Sequence, residues 1–191
     1  MRVLISEEKI QAKVRELALA INRDYRDRDD LAERPLLLVG LLKGSFVFLA
    51  DLVRHLTIPV EVDFMAATSY VGTQSTGNLI ILKNLNESVH ERHVLIVEDI
   101  IDTGLTLHEI RDRLLLESPA SFEICTLLDK PIKRCRAVPV KYVGYTIGDE
   151  FVVGYGIDYN EQYRALPYVG VIDGADTAGA DNAGGASPAA P

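Results

Sequence analysis

The chain has 191 residues, of which 48% are hydrophobic and 25% are charged, a balance typical of one soluble globular domain with a buried core. Its formal net charge of -8 disfavours a general nucleic-acid-binding protein, because attraction to phosphates requires a basic surface. The N-terminal residues lack a signal-peptide pattern, and every apolar stretch is shorter than a membrane span. We therefore predict a cytoplasmic protein that binds neither nucleic acid nor a membrane.

The first predicted element is a helix. Ile10, Val14, Leu17 and Ile21 recur at helical spacing, and Ser6 is a candidate N-cap. These positions predict an amphipathic helix that follows the N-terminal residues directly.

A strand and a second helix follow. The apolar run at 35–42 predicts a strand covered on both faces, and a glycine-containing turn leads from it into a helix over 46–56. The apolar face of this helix is predicted to comprise Phe46, Leu49, Ala50 and Val53.

The middle of the chain predicts two strands around a polar loop. Val60, Val62 and Phe64 alternate with polar residues, which is typical of a strand with one buried face. Residues 71–78 are polar and rich in glycine, which predicts a mobile loop, and 79–83 resume a strand.

The second half continues the alternation of strands and helices. A buried strand at 93–100 precedes a helix marked by Leu107, Ile110 and Leu114, and another strand follows at 122–130. Three short strand-like segments lie at 141–147, 151–157 and 168–172. Strands that alternate with helices predict an α/β fold around a mainly parallel sheet.

Cysteine and histidine residues show no pattern typical of metal ligands. Cys125 and Cys135 are predicted to be reduced thiols. The four histidines are predicted to lie on the surface: His55, His90, His93 and His108.

Residues 174–191 differ from the rest of the chain because they are rich in alanine and glycine and contain no large apolar residue. Such a segment cannot bury enough surface to offset the entropy lost on ordering. We predict one domain over 1–173 and a disordered tail over 174–191.

The run VEDIIDTGLT (97–106) is the most informative stretch, because it places acidic and hydroxyl side chains directly after a buried strand. In an open α/β sheet, ligands bind at the carboxyl ends of strands. Backbone N–H groups at 102–106, with the Thr103 and Thr106 hydroxyls, can bind one anion at the start of the following helix. Gly104 allows a close backbone approach.

Glu98 and Asp99 require a different ligand from the loop that follows them. Carboxylates accept hydrogen bonds from hydroxyl groups or bind hard cations, whereas they repel phosphate. A phosphorylated ribose with a bound metal ion would satisfy the whole stretch. The alternative is that the two carboxylates merely end a strand in solvent, because short motifs often match by chance.

These residues also carry a family resemblance. The stretch VLIVEDIIDTGLTL (94–107) resembles the signature of type I phosphoribosyltransferases, and its EDIIDTG form resembles the hypoxanthine-guanine phosphoribosyltransferases in particular. Four further stretches agree in order and spacing over about residues 5 to 173: GLLKGS (40–45), TSY before the polar loop (68–77), LLDK (127–130) and FVVGYGIDYNEQYR (151–164).

The resemblance implies an architecture and a reaction. The fold would be the α/β type I phosphoribosyltransferase fold, a mainly parallel twisted sheet flanked by helices, with a small hood built from the terminal segments. The substrates would be small molecules, a 6-oxopurine and phosphoribosyl pyrophosphate. The enzyme would transfer the 5-phosphoribosyl group to hypoxanthine, guanine or both, giving IMP or GMP and pyrophosphate. The family makes homodimers and homotetramers, and Mg²⁺ is the implied cofactor.

The resemblance also implies how phosphoribosyl pyrophosphate would be bound. Glu98 and Asp99 would hold the ribose hydroxyls, and residues 102–106 would form the 5-phosphate loop. Asp102 would face the purine N7 as the catalytic acid/base. The Leu–Lys peptide bond at this place is often cis in the family, and the sequence leaves open whether Leu42–Lys43 is cis. The implied ligands of this substrate are Lys43, Gly44, Glu98, Asp99, Asp102, Thr103, Gly104, Leu105, Thr106 and Arg164.

The remaining implied site residues surround the purine and the metal. Phe151 would stack on the base, Lys130 would donate to its 6-oxo group, and the Val152 backbone would contact its N1/C2 edge. Asp158, beside the base, would help Glu98 and Asp99 to hold Mg²⁺. Ser69 and Tyr70 would be the working residues of the mobile loop. Each of these residues also has a purely structural interpretation. Phe151 could be a core residue, Lys130 a cation at a strand end and Arg164 a surface charge.

Two other classes of protein compete with a purine phosphoribosyltransferase. An RNA-binding attenuation regulator on the same fold would need a basic face, which the net charge of -8 disfavours. A P-loop nucleotidase would need the motif G-x-x-x-x-G-K-[ST], which the sequence lacks. The sequence leaves open the preference among hypoxanthine, guanine and xanthine.

Overall fold

The computed structural model describes residues 1–69 and 79–172. The predicted mobile loop from Tyr70 onwards and the predicted tail at 174–191 lie outside these residues. The described chain forms three α-helices: α1 (Glu7–Tyr25), α2 (Phe46–Val53) and α3 (Leu105–Leu115). Its nine strands are β1 (Arg2–Ile5), β2 (Leu36–Leu42), β3 (Val60–Ser69), β4 (Leu79–Lys83), β5 (His93–Ile101), β6 (Ser121–Asp129), β7 (Tyr142–Thr146), β8 (Val152–Val153) and β9 (Val169–Val171).

A six-stranded sheet in the order β4-β3-β2-β5-β6-β7 forms the centre of the molecule. Every neighbouring pair is parallel except β3 and β4, so the predicted mainly parallel α/β sheet is confirmed. Parallel strands joined by helices place all their carboxyl ends at one edge. The ends of β2, β5 and β6 therefore lie side by side.

Alternate residues of the central strands face two separate hydrophobic layers. Leu36 and Leu38 of β2 pack with α1 and α2 on one face of the sheet. Leu37 and Val39 pack with α3 on the other face. Burial on both faces explains why these strands are almost continuously apolar, and it fixes the register that directs each strand end.

The second sheet is built from the two ends of the described chain. β1 pairs with β9 and β9 with β8, both antiparallel, and these three strands form the predicted hood. Ile5, Val152 and Val171 pack in the same hydrophobic layer as α1 and α2. No helix within the described residues is long and apolar enough to cross a membrane.

The predicted buried face of α2 is right at Leu49 and Val53, which pack in or against the core, and wrong at Phe46 and Ala50. Its buried residues are Phe48, Leu49 and Leu52, whereas Phe46 is 44% exposed and Ala50 is also exposed. The helix is almost continuously apolar, so its sequence does not set the phase of its buried face. Packing against β2, β5 and α1 decides it.

The predicted alternation in β3 is also reversed at its centre. Val62 is 44% exposed, whereas Asp63 is buried. Four donors satisfy the Asp63 carboxylate. They are the Lys83 ammonium at 3.0 Å, the Asn86 backbone N–H at 2.7 Å, the Asn86 side-chain amide at 3.0 Å and the Phe64 backbone N–H at 2.7 Å. A buried polar residue with such partners defeats a prediction that rests on alternating hydrophobicity.

His93 is the exception to the prediction that the histidines lie on the surface. Its ring is buried, packs edge-on against Tyr25 and lies 2.8 Å from Asp30 Oδ2 through Nε2. Its Nδ1 lies 2.7 Å from Ser121 Oγ. The first residue of a central strand is covered by neighbouring strands and by the chain after α1, so its position outweighs its polarity.

Both cysteines are free thiols, as predicted.

Candidate active site

The carboxyl end of β5 carries two acidic side chains in a buried setting. Burial raises the pKa of the Glu98 carboxyl well above its usual range, and the adjacent Asp99 charge raises it further. Burial also raises the pKa of Asp99 to about 6, although backbone N–H groups and Arg164 oppose this shift. Glu98 Oε2 is buried and has no hydrogen-bond partner in the described chain. These carboxylates do not merely end a strand in solvent.

Residues 102–106 are the expected phosphate loop, of which 102–104 connect β5 to α3 and 105–106 begin α3. Gly104 is the N-cap of α3 and has a φ of 76°, in the left-handed region that favours glycine. A cavity of about 170 Å³ is lined by Glu98 and residues 100–107. One Asp102 carboxylate oxygen is buried and has no hydrogen-bond partner in the described chain. The loop therefore combines free acceptor capacity with the N-terminal end of a helix.

Residues 134–136, which follow β6, bind the carbonyl groups of this loop. The sequence did not predict this contact. Arg134 donates through Nε to the Asp102 carbonyl oxygen at 3.0 Å and through Nη2 to that of Ile101 at 3.2 Å. The backbone N–H groups of Cys135 and Arg136 donate to the Thr103 carbonyl oxygen at 2.8 Å and 3.2 Å. The sequence shows only a basic connection after β6, which gives no hint of these partners.

The turn after β2 lies against the acidic end of β5. The Leu42–Lys43 peptide bond, which the sequence left open, is cis. A Cβ built on Gly44 would lie only 1.9 Å from Asp99 Oδ2, so no side chain fits there without a shift of the backbone or of Asp99. A Cβ on Gly156 of the turn after β8 would lie 2.1 Å from the Gly44 carbonyl oxygen. Both positions require glycine, because neighbouring atoms lie too close for a Cβ.

Charged side chains from the turn after β2 and from the loop after β8 meet at the same edge. Lys43 Nζ lies 2.9 Å from Glu161 Oε1, and Glu161 Oε2 lies 3.2 Å from the Arg164 guanidinium. Arg164 also pairs with Asp158 Oδ1 at 2.9 Å. The Arg164 side chain is only 19% exposed, so it is not simple surface charge. Glu161, which the sequence-based prediction did not include, links the two cations.

The residues expected to bind the base adjoin one another at the ends of β6 and β8. Lys130 is buried, and its ammonium donates to the Glu150 carbonyl oxygen at 3.0 Å and lies 3.4 Å from Asp149 Oδ1. Phe151 is 42% exposed, so it is not core, and its ring packs edge-on against another aromatic ring, that of Tyr159, at 5.4 Å.

Two further predicted residues differ in how far the structure describes them. Val152 is buried in the hood, where it pairs with Val171 of β9, and the contact of its backbone with the base stays a prediction. Ser69 ends β3 and pairs with Leu79, but its side chain lies outside the described features, as does the whole of Tyr70. The structure thus places the ends of β2, β5 and β6 and the residues around β8 next to one another at one edge of the sheet. The cavity at this edge is lined by the end of β5, the loop after it and the start of α3.

Comparison with known proteins agrees with this geometry. A family model described as the phosphoribosyl transferase domain matches residues 5–160. The chain belongs to the phosphoribosyltransferase family. The sheet order and the hood confirm the type I phosphoribosyltransferase fold predicted from the sequence.

The similar phosphoribosyltransferases are named for purine bases. The hypoxanthine phosphoribosyltransferase of Salmonella typhimurium is 51% identical over 173 residues, which cover 90% of this chain and 95% of that relative. The hypoxanthine-guanine phosphoribosyltransferase of Staphylococcus epidermidis is 49% identical over 171 residues, covering 89% and 92%. A crystal structure of a hypoxanthine-guanine phosphoribosyltransferase from Bacillus anthracis has a TM-score of 0.83 and 45% identity, covering 90% of this chain and 98% of that chain.

Proposed function

We propose that this phosphoribosyltransferase is a purine salvage enzyme that transfers the 5-phosphoribosyl group to hypoxanthine, guanine or both. The observation that carries this proposal is the cavity at the end of β5, where acidic groups and a phosphate loop lie together. The names of the relatives support the purine as acceptor. In the reaction, the bond from the anomeric carbon to the pyrophosphate oxygen breaks, and a bond to a purine nitrogen forms.

Each part of phosphoribosyl pyrophosphate has a matching group at this edge of the sheet. The 5-phosphate would accept hydrogen bonds from the N–H groups and hydroxyls of residues 102–106. The ribose hydroxyls would donate to Glu98 and Asp99. The pyrophosphate would lie near Lys43 and Arg164, two cations that Glu161 now links. Charge that develops in an oxocarbenium-like transition state is then stabilised on both sides of the broken bond.

The purine would lie between the hood and the end of β6. Two of the three donor positions of the Lys130 ammonium face Glu150 and Asp149, which leaves one for the 6-oxo group. The exposed Phe151 ring would stack on the base, and Asp102 would exchange the N7 proton. Ser69 and Tyr70 would close over the bound substrates.

The acidic groups fit a hard divalent cation. Glu98 Oε2 is a buried oxygen that lacks a partner in the described chain, and Asp99 lies beside it. Both Asp158 oxygens already bond to Arg164 and to the Glu161 N–H, so Asp158 would act partly through water. Within residues 1–69 and 79–172, no three acidic, histidine or cysteine side chains could hold a metal together. Water and substrate would supply the remaining oxygen ligands of bound Mg²⁺, which would neutralise charge on the leaving pyrophosphate.

Removal of divalent cations is expected to abolish turnover, because the carboxylates and pyrophosphate otherwise crowd negative charge together. The measurement is nucleotide formation after exhaustive chelation, followed by addition of Mg²⁺ or Mn²⁺. A chelator saturated with Mg²⁺ is the control and should leave the rate unchanged. Full turnover in the metal-free enzyme would contradict the role of Mg²⁺.

Replacing Gly44 by alanine is expected to lower kcat/KM for phosphoribosyl pyrophosphate by about tenfold to a hundredfold. The new Cβ would lie 1.9 Å from Asp99 Oδ2, and displacements near 1 Å in an active site cost rates on this order. Gly170→Ala is the matched control, because its Cβ would meet first the flexible Met1 side chain, at 3.1 Å. Equal kinetics in the two variants would show that the Gly44 contact has no role in catalysis.

One assay tests the proposed function. Initial rates are measured with hypoxanthine, guanine, xanthine and adenine under the same phosphoribosyl pyrophosphate and Mg²⁺ concentrations. Nucleotide should form with hypoxanthine or guanine; no nucleotide with any base would contradict the proposal. The relatives offer no support for an RNA-binding regulator, and a gel-shift assay with RNA should be negative. A cytoplasmic location and a homodimer or homotetramer stay predictions.

A further inference from the structure

We propose that Arg134 is a positioning residue that orients the backbone of the phosphate loop for the 5-phosphate of the substrate. This inference rests on the proposed function, because it assumes that residues 102–106 bind that phosphate. Arg134 would not touch the substrate. It would act through the peptide groups that it holds.

Three consecutive carbonyl groups of the loop point toward the segment 134–136. Arg134 holds the carbonyl oxygens of Ile101 and Asp102 at 3.2 Å and 3.0 Å. The Cys135 and Arg136 N–H groups hold that of Thr103 at 2.8 Å and 3.2 Å. Four donors from one short segment therefore fix three successive peptide planes.

Peptide geometry converts this contact into an anion-binding surface. In a planar trans peptide, the C=O and the following N–H point in opposite directions. Holding the Asp102 and Thr103 carbonyls on one side turns the N–H groups of Thr103 and Gly104 to the other. Neither of these N–H groups donates to another group of the described chain. Successive N–H groups of this kind form a concave site for an anion.

The guanidinium is itself held in place. Its Nη2 also donates to the Asp129 carboxylate at the end of β6, and the Arg134 side chain is only 16% exposed. A planar guanidinium can serve several acceptors in a fixed geometry, whereas a lysine ammonium is a single point on a flexible stem. A Cβ built on Gly104 would lie 2.7 Å from the Arg136 carbonyl oxygen and 2.8 Å from Arg134 Cδ, so segment 134–136 leaves no room for a side chain there.

The test compares two ligands that differ only in the 5-phosphate. Dissociation constants for IMP and for inosine are measured by calorimetry on the wild-type enzyme, Arg134→Met, Arg134→Lys and the control Arg113→Met. Arg113 is exposed in the last turn of α3 and lies outside the site. We expect Arg134→Met to weaken IMP binding at least ~10-fold and to weaken inosine binding far less, because the contacts of the loop are with the phosphate except for that of Asp102 with the purine N7.

The IMP dissociation constant of Arg134→Lys should lie between those of wild type and Arg134→Met. If Arg134→Met does not fold, Arg134→Lys alone is compared with wild type. KM for phosphoribosyl pyrophosphate should rise more than kcat falls. An unchanged ratio of inosine to IMP dissociation constants in both Arg134 variants would overturn the positioning role, whether neither ligand loses affinity or both lose it equally. If wild-type enzyme makes nucleotide, such a result leaves the proposed function intact. A wild-type enzyme that binds inosine as tightly as IMP would overturn both proposals.

Discussion

Replacing Asp102 by alanine is expected to lower kcat by about 10²–10⁴-fold, the usual range for loss of a general acid or base. Asp102 begins the phosphate loop, and one of its carboxylate oxygens is buried without a partner in the described chain. An oxygen in that state is available to exchange a proton with the purine N7. Binding of phosphoribosyl pyrophosphate should suffer less, because Thr103, Thr106 and the backbone N–H groups remain.

The measurement is kcat and KM for both substrates at saturating Mg²⁺. Asp27→Ala is the matched control, because Asp27 is 83% exposed and lies in the connection after α1, outside the site. It should leave both constants unchanged. A wild-type kcat in Asp102→Ala would show that Asp102 is structural only.

The second large effect is expected at Lys130. Its ammonium is a donor and cannot accept a hydrogen bond, so it favours a 6-oxo group and leaves the 6-amino group of adenine facing another donor. A buried polar group left unpaired costs about 1–3 kcal/mol, and more if it is charged. Because Lys130 is buried and already fixed by Glu150, this penalty should apply in full. Phe151 cannot supply the selectivity, since stacking tolerates any base.

Lys130→Met should therefore lower kcat/KM for hypoxanthine at least ~100-fold and narrow its advantage over adenine. Lys133→Met is the matched control. Lys133 pairs with the same Asp149 at 2.9 Å, but its side chain is 49% exposed. The deciding measurement is the ratio of kcat/KM for hypoxanthine to kcat/KM for adenine. If the wild type uses adenine equally well, or if the ratio survives in Lys130→Met, then Lys130 does not recognise the 6-oxo group.

Local patterns predicted much of the site. The run from β5 through the phosphate loop to α3 was predictable, because a buried strand, a glycine in the left-handed region and an amphipathic helix each leave short-range signals. The residues Leu107, Ile110 and Leu114 are buried as their spacing predicted. Lys130 and Phe151 were identified through the resemblance, and the structure places them at adjoining strand ends.

Other features had no local signal. β1 is a four-residue strand that exists only because β9 pairs with it from the far end of the chain. The contact between Lys43 and Glu161 joins residues 118 positions apart, and Arg134 reaches Asp102 across 32 positions. Lys43 and Asp102 were identified through the resemblance, but their partners Glu161 and Arg134 do not differ in sequence from an ordinary surface charge.

The sequence by itself determined the α/β alternation, the phosphate loop and the acidic end of β5, because hydrophobic period, turn residues and helix starts depend on neighbours within a few positions. The tertiary structure alone decided which face of α2 is buried, that Asp63 and His93 are buried, and that residues 134–136 bind the carbonyl groups of the phosphate loop. These outcomes depend on packing and on hydrogen-bond partners distant in the chain. Burial makes a partner necessary for each polar group, and only the assembled sheet determines which residue supplies it.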